Sequence, residues 1–173
     1  MAVTVTGNVA VSLNASDQRT AVTGAANETG TRSAAVAASW AIATGVAAGL
    51  ADKIWSDTRT VGSAATDVID LATILTNAFG SVETFAKLRA IVIAAASTNT
   101  TALTITRPAA ATGVPLFAAI SDALAPLNAG GFFVWCDPAV GVVVTAATGD
   151  LLHVVNSGGG SATYSIAVVG TSA

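Results

Sequence analysis

Charge is what this sequence has least of. Only 10% of its 173 residues are Asp, Glu, Lys or Arg, against about 25% in an ordinary soluble domain. A solitary molecule keeps itself dissolved with polar surface and net charge. The faces of this chain are therefore expected to be covered by partners and lined with Ala, Thr, Ser and Gly. The seven Lys and Arg are scattered and the net charge is −3, which excludes the basic stripe of a nucleic-acid surface. One cysteine, Cys136, leaves no internal disulfide framework. Long apolar runs are missing too. The nearest candidate, residues 34–51, is diluted by Ser39, Thr44 and several glycines, so no membrane span is expected. The opening MAVTVTGN has no basic segment ahead of an apolar core. No signal peptide is expected, and synthesis in a cytoplasm follows.

Histidine is equally scarce: His153 stands alone. A Ser–His–Asp arrangement would need it to meet a serine and a carboxylate such as Asp150 or Asp137, and no nucleophile-elbow pattern exists. His153 therefore reads as a structural strand residue. Cys136 has Asp137 beside it, which opposes thiolate formation, and reads as buried and inert. Asp52 with Asp57, and Asp67 with Asp70, are carboxylate pairs without the further ligands a metal needs. Gly158-Gly159-Gly160 lacks the lysine and the helix start of a phosphate loop. The chain is not read as an enzyme, and no cofactor or metal is expected.

What the sequence does carry is short β-branched runs broken by Gly, Pro and Asn. Leu151 to Gly170 reads as two apolar strands joined by Asn156 to Gly160, a final hairpin. In its second half Tyr164, Ile166 and Val168 alternate with Ser165, Ala167 and Val169, which predicts one buried face. Further strands are expected at Val36–Gly45, Ala51–Val61, Phe85–Ala96, Thr101–Arg107, Phe132–Trp135 and Val142–Ala146. Phe85–Ala96 is the most apolar and reads as central, its charged start projecting at the sheet end. In Ala51–Val61 the residues Lys53, Trp55, Asp57, Arg59 and Val61 fall on one side. Charges beside a tryptophan read either as an interface or as a partly solvated surface, so Trp55, Asp57 and Arg59 are the candidate interaction residues. Asp57 and Arg59 could pair at a strand end or across a subunit boundary. Leu71, Ile74, Leu75 and Phe79 have helical spacing and Gly80 follows as a stop, which predicts one short helix.

Val3, Val5, Val9, Val11 and Leu13 alternate with small polar residues, with Gly7 breaking the register. From Asn14 to Ser33 the text turns polar and small, with a turn expected at Asn27–Gly30. So long a loop is uncommon inside a compact domain unless it is a binding arm. Residues 1–33 are read as an extended N-terminal arm and 34–173 as the domain. About eight to ten short strands at roughly ten-residue spacing predict an all-β fold, a single β-sandwich or barrel-like domain with one short helix.

Several words in the second part of the chain resemble a known group. They are ADKIWSDTRTV (Ala51–Val61), Asp70-Leu71, LTNAFG (Leu75–Gly80), FAKLRA (Phe85–Ala90), GDLL (Gly149–Leu152), ATYSI (Ala162–Ile166) and GTSA (Gly170–Ala173). Together, over about Gly49 to Ala173, they resemble a family of small structural proteins of tailed bacteriophage virions. That resemblance implies a capsid decoration (cement) or minor capsid protein, placed on the capsid surface, with the major capsid protein as partner. It also implies closed homo-oligomers, trimers at local threefold positions among them. A tail or fibre component of the same virion is the competing assignment, and a small hydrolase a distant third.

Overall fold

The computed structural model describes residues 4–23, 26–108 and 112–173, with backbone alone for 17–23 and 26–32. In chain order its strands are β1 (Gly7–Thr23), β2 (Ala26–Ile42), β3 (Lys53–Val61), β4 (Ala65–Asp70), β5 (Leu75–Thr76), β6 (Val82–Glu83), β7 (Lys87–Ala95), β8 (Leu103–Thr106), β9 (Phe132–Cys136), β10 (Val142–Val143), β11 (Leu151–Asn156) and β12 (Ala162–Thr171). Among the described residues there is no helix, and hence none able to cross a membrane. The fold is all-β, built from several open sheets. The chain divides into two compact units: Gly7–Ala41, and the residues up to Thr6 together with Ile42–Ala173.

The first unit is a two-stranded sheet of β1 and β2. Seventeen residues per strand at about 3.3 Å per residue make each about 55 Å long. This corrects the loop expected from Asn14 to Ser33. Residues 14–23 lie in β1 and 26–33 in β2, and Asn27–Gly30 is strand rather than turn. The apolar pattern was faint because most described side chains of this ribbon are exposed, Trp40 and Ile42 at the end of β2 being the buried ones. Val11, Leu13 and Val36 are 43, 61 and 69% exposed. Threonine and valine satisfy the backbone by pairing, without a core to mark them.

The larger unit holds two main sheets. One runs β10-β7-β12-β3, with β9 also on the outer edge of β7; the other runs β4-β11-β8, and all these pairings are antiparallel. β7 is central, as its apolar sequence predicts. Alternation sends one face of each strand inward, interrupted where Leu88–Ile91 and Val168–Thr171 are buried on both faces. Trp55 and Val61 of β3, Ile91 and Ile93 of β7, and Tyr164, Ile166 and Val168 of β12 share one core with Ile69, Leu103, Ile105, Leu152 and Val154 of the other sheet. Each fully buried aliphatic side chain contributes about 1.5–3 kcal/mol.

Three expectations are corrected. First, residues 71–79 are turns and the two-residue β5, not a helix. Of the helical stripe only Leu71 and Leu75 are buried; Ile74 is 62% and Phe79 93% exposed. The polar neighbours capture the backbone instead. Asp70 accepts from the amides of Ala72 and Thr73. Asn77 accepts from those of Phe79 and Ser81, closing the β5–β6 turn through Gly80 at φ 78°.

Second, the final two strands are not a hairpin: β11 pairs β4 and β8, while β12 pairs β3 and β7. The Asn156–Gly160 connection crosses from one sheet to the other, as does the link from β3 to β4. Asn156, fully buried, pins both crossings. Its amide donates to the carbonyls of Val61, Gly62 and Gly160 at 3.2, 3.0 and 2.7 Å and its Oδ1 accepts from Gly158 N at 3.0 Å.

Third, the charged start of β7 does not project. Arg89 is 1% exposed. The register slips there: Val169 faces Ala90 and Gly170 faces Leu88, so Arg89 is the extra residue of a bulge. Gly170 permits it, because a Cβ at that position would lie 2.1 Å from the Lys87 carbonyl. Of the chain after β8, residues 109–111 lie outside the described residues, as does Val3 of the N-terminal alternation.

Candidate functional site

Arg59 sits opposite Tyr164 in the β3–β12 pairing, both on the inward side. From there the Arg59 guanidinium grips Asp67 of β4 with two bonds, Nε to Oδ2 at 2.6 Å and Nη2 to Oδ1 at 2.7 Å. The Tyr164 hydroxyl donates to the same Oδ2 at 2.7 Å. Asp57 stands at the margin, its Oδ2 3.6 Å from Arg59 Nη1. Burial pulls the Asp67 carboxyl upward, but the Arg59 and Tyr164 hydrogen bonds outweigh it, and the group titrates below the usual carboxylate range. The bond to Asp67 also holds Arg59 more firmly charged. Burial, then the bond to Asp67, pushes the Tyr164 phenol far above its ordinary value. The carboxylate has both oxygens engaged and the phenol is held in its protonated form. The cluster is a polar tie between the two sheets.

Trp55 is 3% exposed. Its Nε1 donates to the Thr76 carbonyl at 3.1 Å. Lys53 reaches Glu83 at 2.8 Å, and Asn77 Nδ2 donates to the other Glu83 oxygen at 2.6 Å. These bonds fasten the β5–β6 turn to β3. The candidate interaction residues therefore separate: Trp55 is core, Arg59 is turned inward on Asp67, and Asp57 alone is exposed, at the β3 edge. Sequence reasoning missed Asp67 and Tyr164 as Arg59's partners. A signal existed, because Tyr164 is the only tyrosine, set in an apolar strand, and a buried phenol needs an acceptor.

His153 stands in β11 opposite Val68 and Thr106, and burial lowers its pKa. Asp150 is instead bound into the 145–150 turn, accepting from Ala147 N at 2.8 Å. Cys136 is exposed, which corrects the expected burial: it ends β9 on the outward side, opposite Ala90. Its thiol is nonetheless pushed up, first by desolvation and then by Asp137. Among the described residues no three His, Cys, Asp or Glu gather as metal ligands.

Among the described residues Arg107 Nε and Asp150 Oδ1 are buried without a hydrogen-bond partner, and Arg89 goes further. Nη2 approaches the Ala47 carbonyl at 3.5 Å, while Nε and Nη1 are buried without a hydrogen-bond partner.

What remains is surface. The outward rows of the five-stranded sheet read Ser56–Ala167–Val92–Val134 and Thr58–Ser165–Ala94–Phe132 across β3, β12, β7 and β9. They carry no charge. A shallow groove lies over their centre, with Asp57 at its rim. Comparison of the chain with family models, curated proteins and solved structures found no match in any of the three.

Proposed function

We propose that the chain is a bacteriophage virion structural protein, a capsid decoration (cement) or minor capsid protein that binds and stabilises the shell of the major capsid protein. The observation that carries the reading is the β1–β2 ribbon, a pair of 17-residue strands on which Val11, Leu13 and Val36 are exposed while Trp40 and Ile42, at the end of β2, are buried. A two-stranded ribbon is marginal alone in water. Its outer edges are templates for further strands, so it is best explained as an arm that pairs with a neighbour. The larger unit is read as a β-sandwich, its two sheets facing one core. Its polar clusters are spent on tying those sheets together, as suits a protein whose task is to bear load. In this reading the protein is made in the bacterial cytoplasm, resides on the capsid surface, assembles as a homo-oligomer and has no catalytic role. The sequence words from Ala51 onward support the same reading.

Electron cryomicroscopy of purified particles, with copy number by mass spectrometry against the shell protein, tests it. Many copies on the shell are expected. A handful of copies confined to the tail would overturn it in favour of a tail or fibre component.

A further inference from the structure

We propose that the outward face of the five-stranded sheet is a twofold contact between two copies of this chain. Three features of the face point to a second copy. The first is neutrality: the two full rows, Ser56–Ala167–Val92–Val134 and Thr58–Ser165–Ala94–Phe132, hold no ionisable group. Identical faces can therefore meet without like charges opposing each other. The second is polar self-sufficiency. Thr58 and Ser165 pair their hydroxyls at 3.2 Å, and Thr60 and Thr163 theirs at 3.0 Å. Covering them strands few donors or acceptors, which is where burial of polar groups becomes expensive.

The third feature is shape. The Thr58–Ser165–Ala94–Phe132 row is bulky at the β9 end, small in the middle and short and polar at the β3 end, and the Ser56–Ala167–Val92–Val134 row rises from small residues on β3 and β12 to valines on β7 and β9; Phe132 is 65% exposed. A twofold axis running along the strands, midway between β12 and β7, lays Phe132 over the second copy's Thr58 and Ala94 over its Ser165. One row along, Val134 meets Ser56. The profile is complementary to itself in that orientation, as an isologous contact requires. Stacked sheets pack about 10 Å apart with strands within about 30°, which the short Ser165, Ala167 and Ala94 side chains of the centre allow.

Area sets the strength. Strands about 4.8 Å apart, and three rows about 6.8 Å apart, give a face of roughly 400 Å², or roughly 800 Å² for the pair. That is below the roughly 1,200 Å² of standard stable interfaces, so the pairing is weak in solution and concentration-dependent. It stands apart from the shell reading, because self-association is measured without any particle.

The test is sedimentation velocity on the full chain from about 10 μM to about 1 mM. The wild type is expected to move from monomer towards dimer. Ala94→Asp and Ser165→Lys should each remain monomeric with unchanged circular dichroism. An equimolar mixture of the two should recover dimer, because the introduced carboxylate then faces the introduced ammonium. If either variant fails to fold, Thr58→Lys on the exposed edge strand reads the same contact and should be monomeric. A wild type that stays monomeric throughout overturns the proposal. So does a trimer, or a dimer that these substitutions leave intact.

Discussion

Tyr164 and Arg59 face each other across two neighbouring strands and donate to one and the same oxygen, Asp67 Oδ2, at 2.7 and 2.6 Å. Asp67 belongs to the other sheet, so this single carboxylate joins three strands from two layers. Removing it should leave a guanidinium and a largely buried phenol without their acceptor. Asp67→Asn is expected to cost about 2–3 kcal/mol and Tyr164→Phe about 1 kcal/mol. The double variant should cost less than the sum, since both changes delete the same bond. Urea denaturation of the four proteins measures this, and strict additivity would mean the bond contributes nothing.

The same carboxylate makes the fold acid-sensitive. Its folded pKa lies below the usual range, so its stabilisation is complete above the unfolded value, about 3.9. It is lost as pH falls through that value and then the lower folded one. His153, with a folded pKa depressed by burial, acts in the same direction at higher pH. It should favour the unfolded chain as pH drops through about 6.5. Thermal melts from pH 8 to pH 3 should show a shallow decline near the histidine range and a steeper one below pH 4. In Asp67→Asn the steeper one should be reduced.

The strands of the larger unit were legible because burial writes itself into alternation. Tyr164, Ile166 and Val168 are all inside, as their period of two implies. The arm was legible only as something unusual. Its residues 14–33 read as loop because small polar residues paired in a ribbon leave no apolar rhythm to find. The helix at 71–79 failed because four apolar residues at the right spacing say nothing about whether all four are buried, and Asp70 and Asn77 turn the chain locally. Sheet membership was beyond reach. Leu151–Gly170 has the sequence of a hairpin, and only the pairing of β11 with β4 and β8, and of β12 with β3 and β7, shows that its halves go to different layers. The Arg59–Asp67 contact was hidden for the same reason, since it forms between sheets whose partnership no local pattern announces.

Asn156 predicts its own sensitivity. Fully buried, it serves three carbonyls and one amide where both sheet crossings pass. Asn156→Ala should strand these groups and cost about 2–4 kcal/mol. Asn156→Asp removes the donor and adds a buried charge beside carbonyl oxygens, so it should be worse still. Chemical denaturation ranks the three. An alanine variant as stable as wild type would show that the crossings hold without it.

Arg89 reverses the usual direction. Its Nε and Nη1 are buried without partners, and a buried charge of this kind is a standing penalty. Arg89→Met keeps most of the volume and removes the charge. It is expected to leave stability unchanged or to raise it by about 1–4 kcal/mol. Arg89→Ala should fall below the methionine variant by about 2–4 kcal/mol, because it leaves a cavity. A methionine variant clearly less stable than wild type would mean that the guanidinium has a stabilising partner after all.

Excising the arm tests its role directly. Val5 and Thr44 already hold the two cut ends together, Val5 N donating to Thr44 Oγ1 at 2.8 Å and Thr44 Oγ1 donating to the Val5 carbonyl at 2.9 Å. A short glycine linker replacing Gly7–Ala41 therefore closes a gap that the fold has already closed. Circular dichroism should show an intact β protein with a cooperative melt, while binding to capsids lacking this protein should be lost. Deleting residues 1–33 is the poorer experiment, because it removes Val5 and, among the described residues, the strand that pairs with β2. If the Gly7–Ala41 deletion folds and still coats the shell at full occupancy, the ribbon is not the anchoring element, and the larger unit must carry the contact by itself.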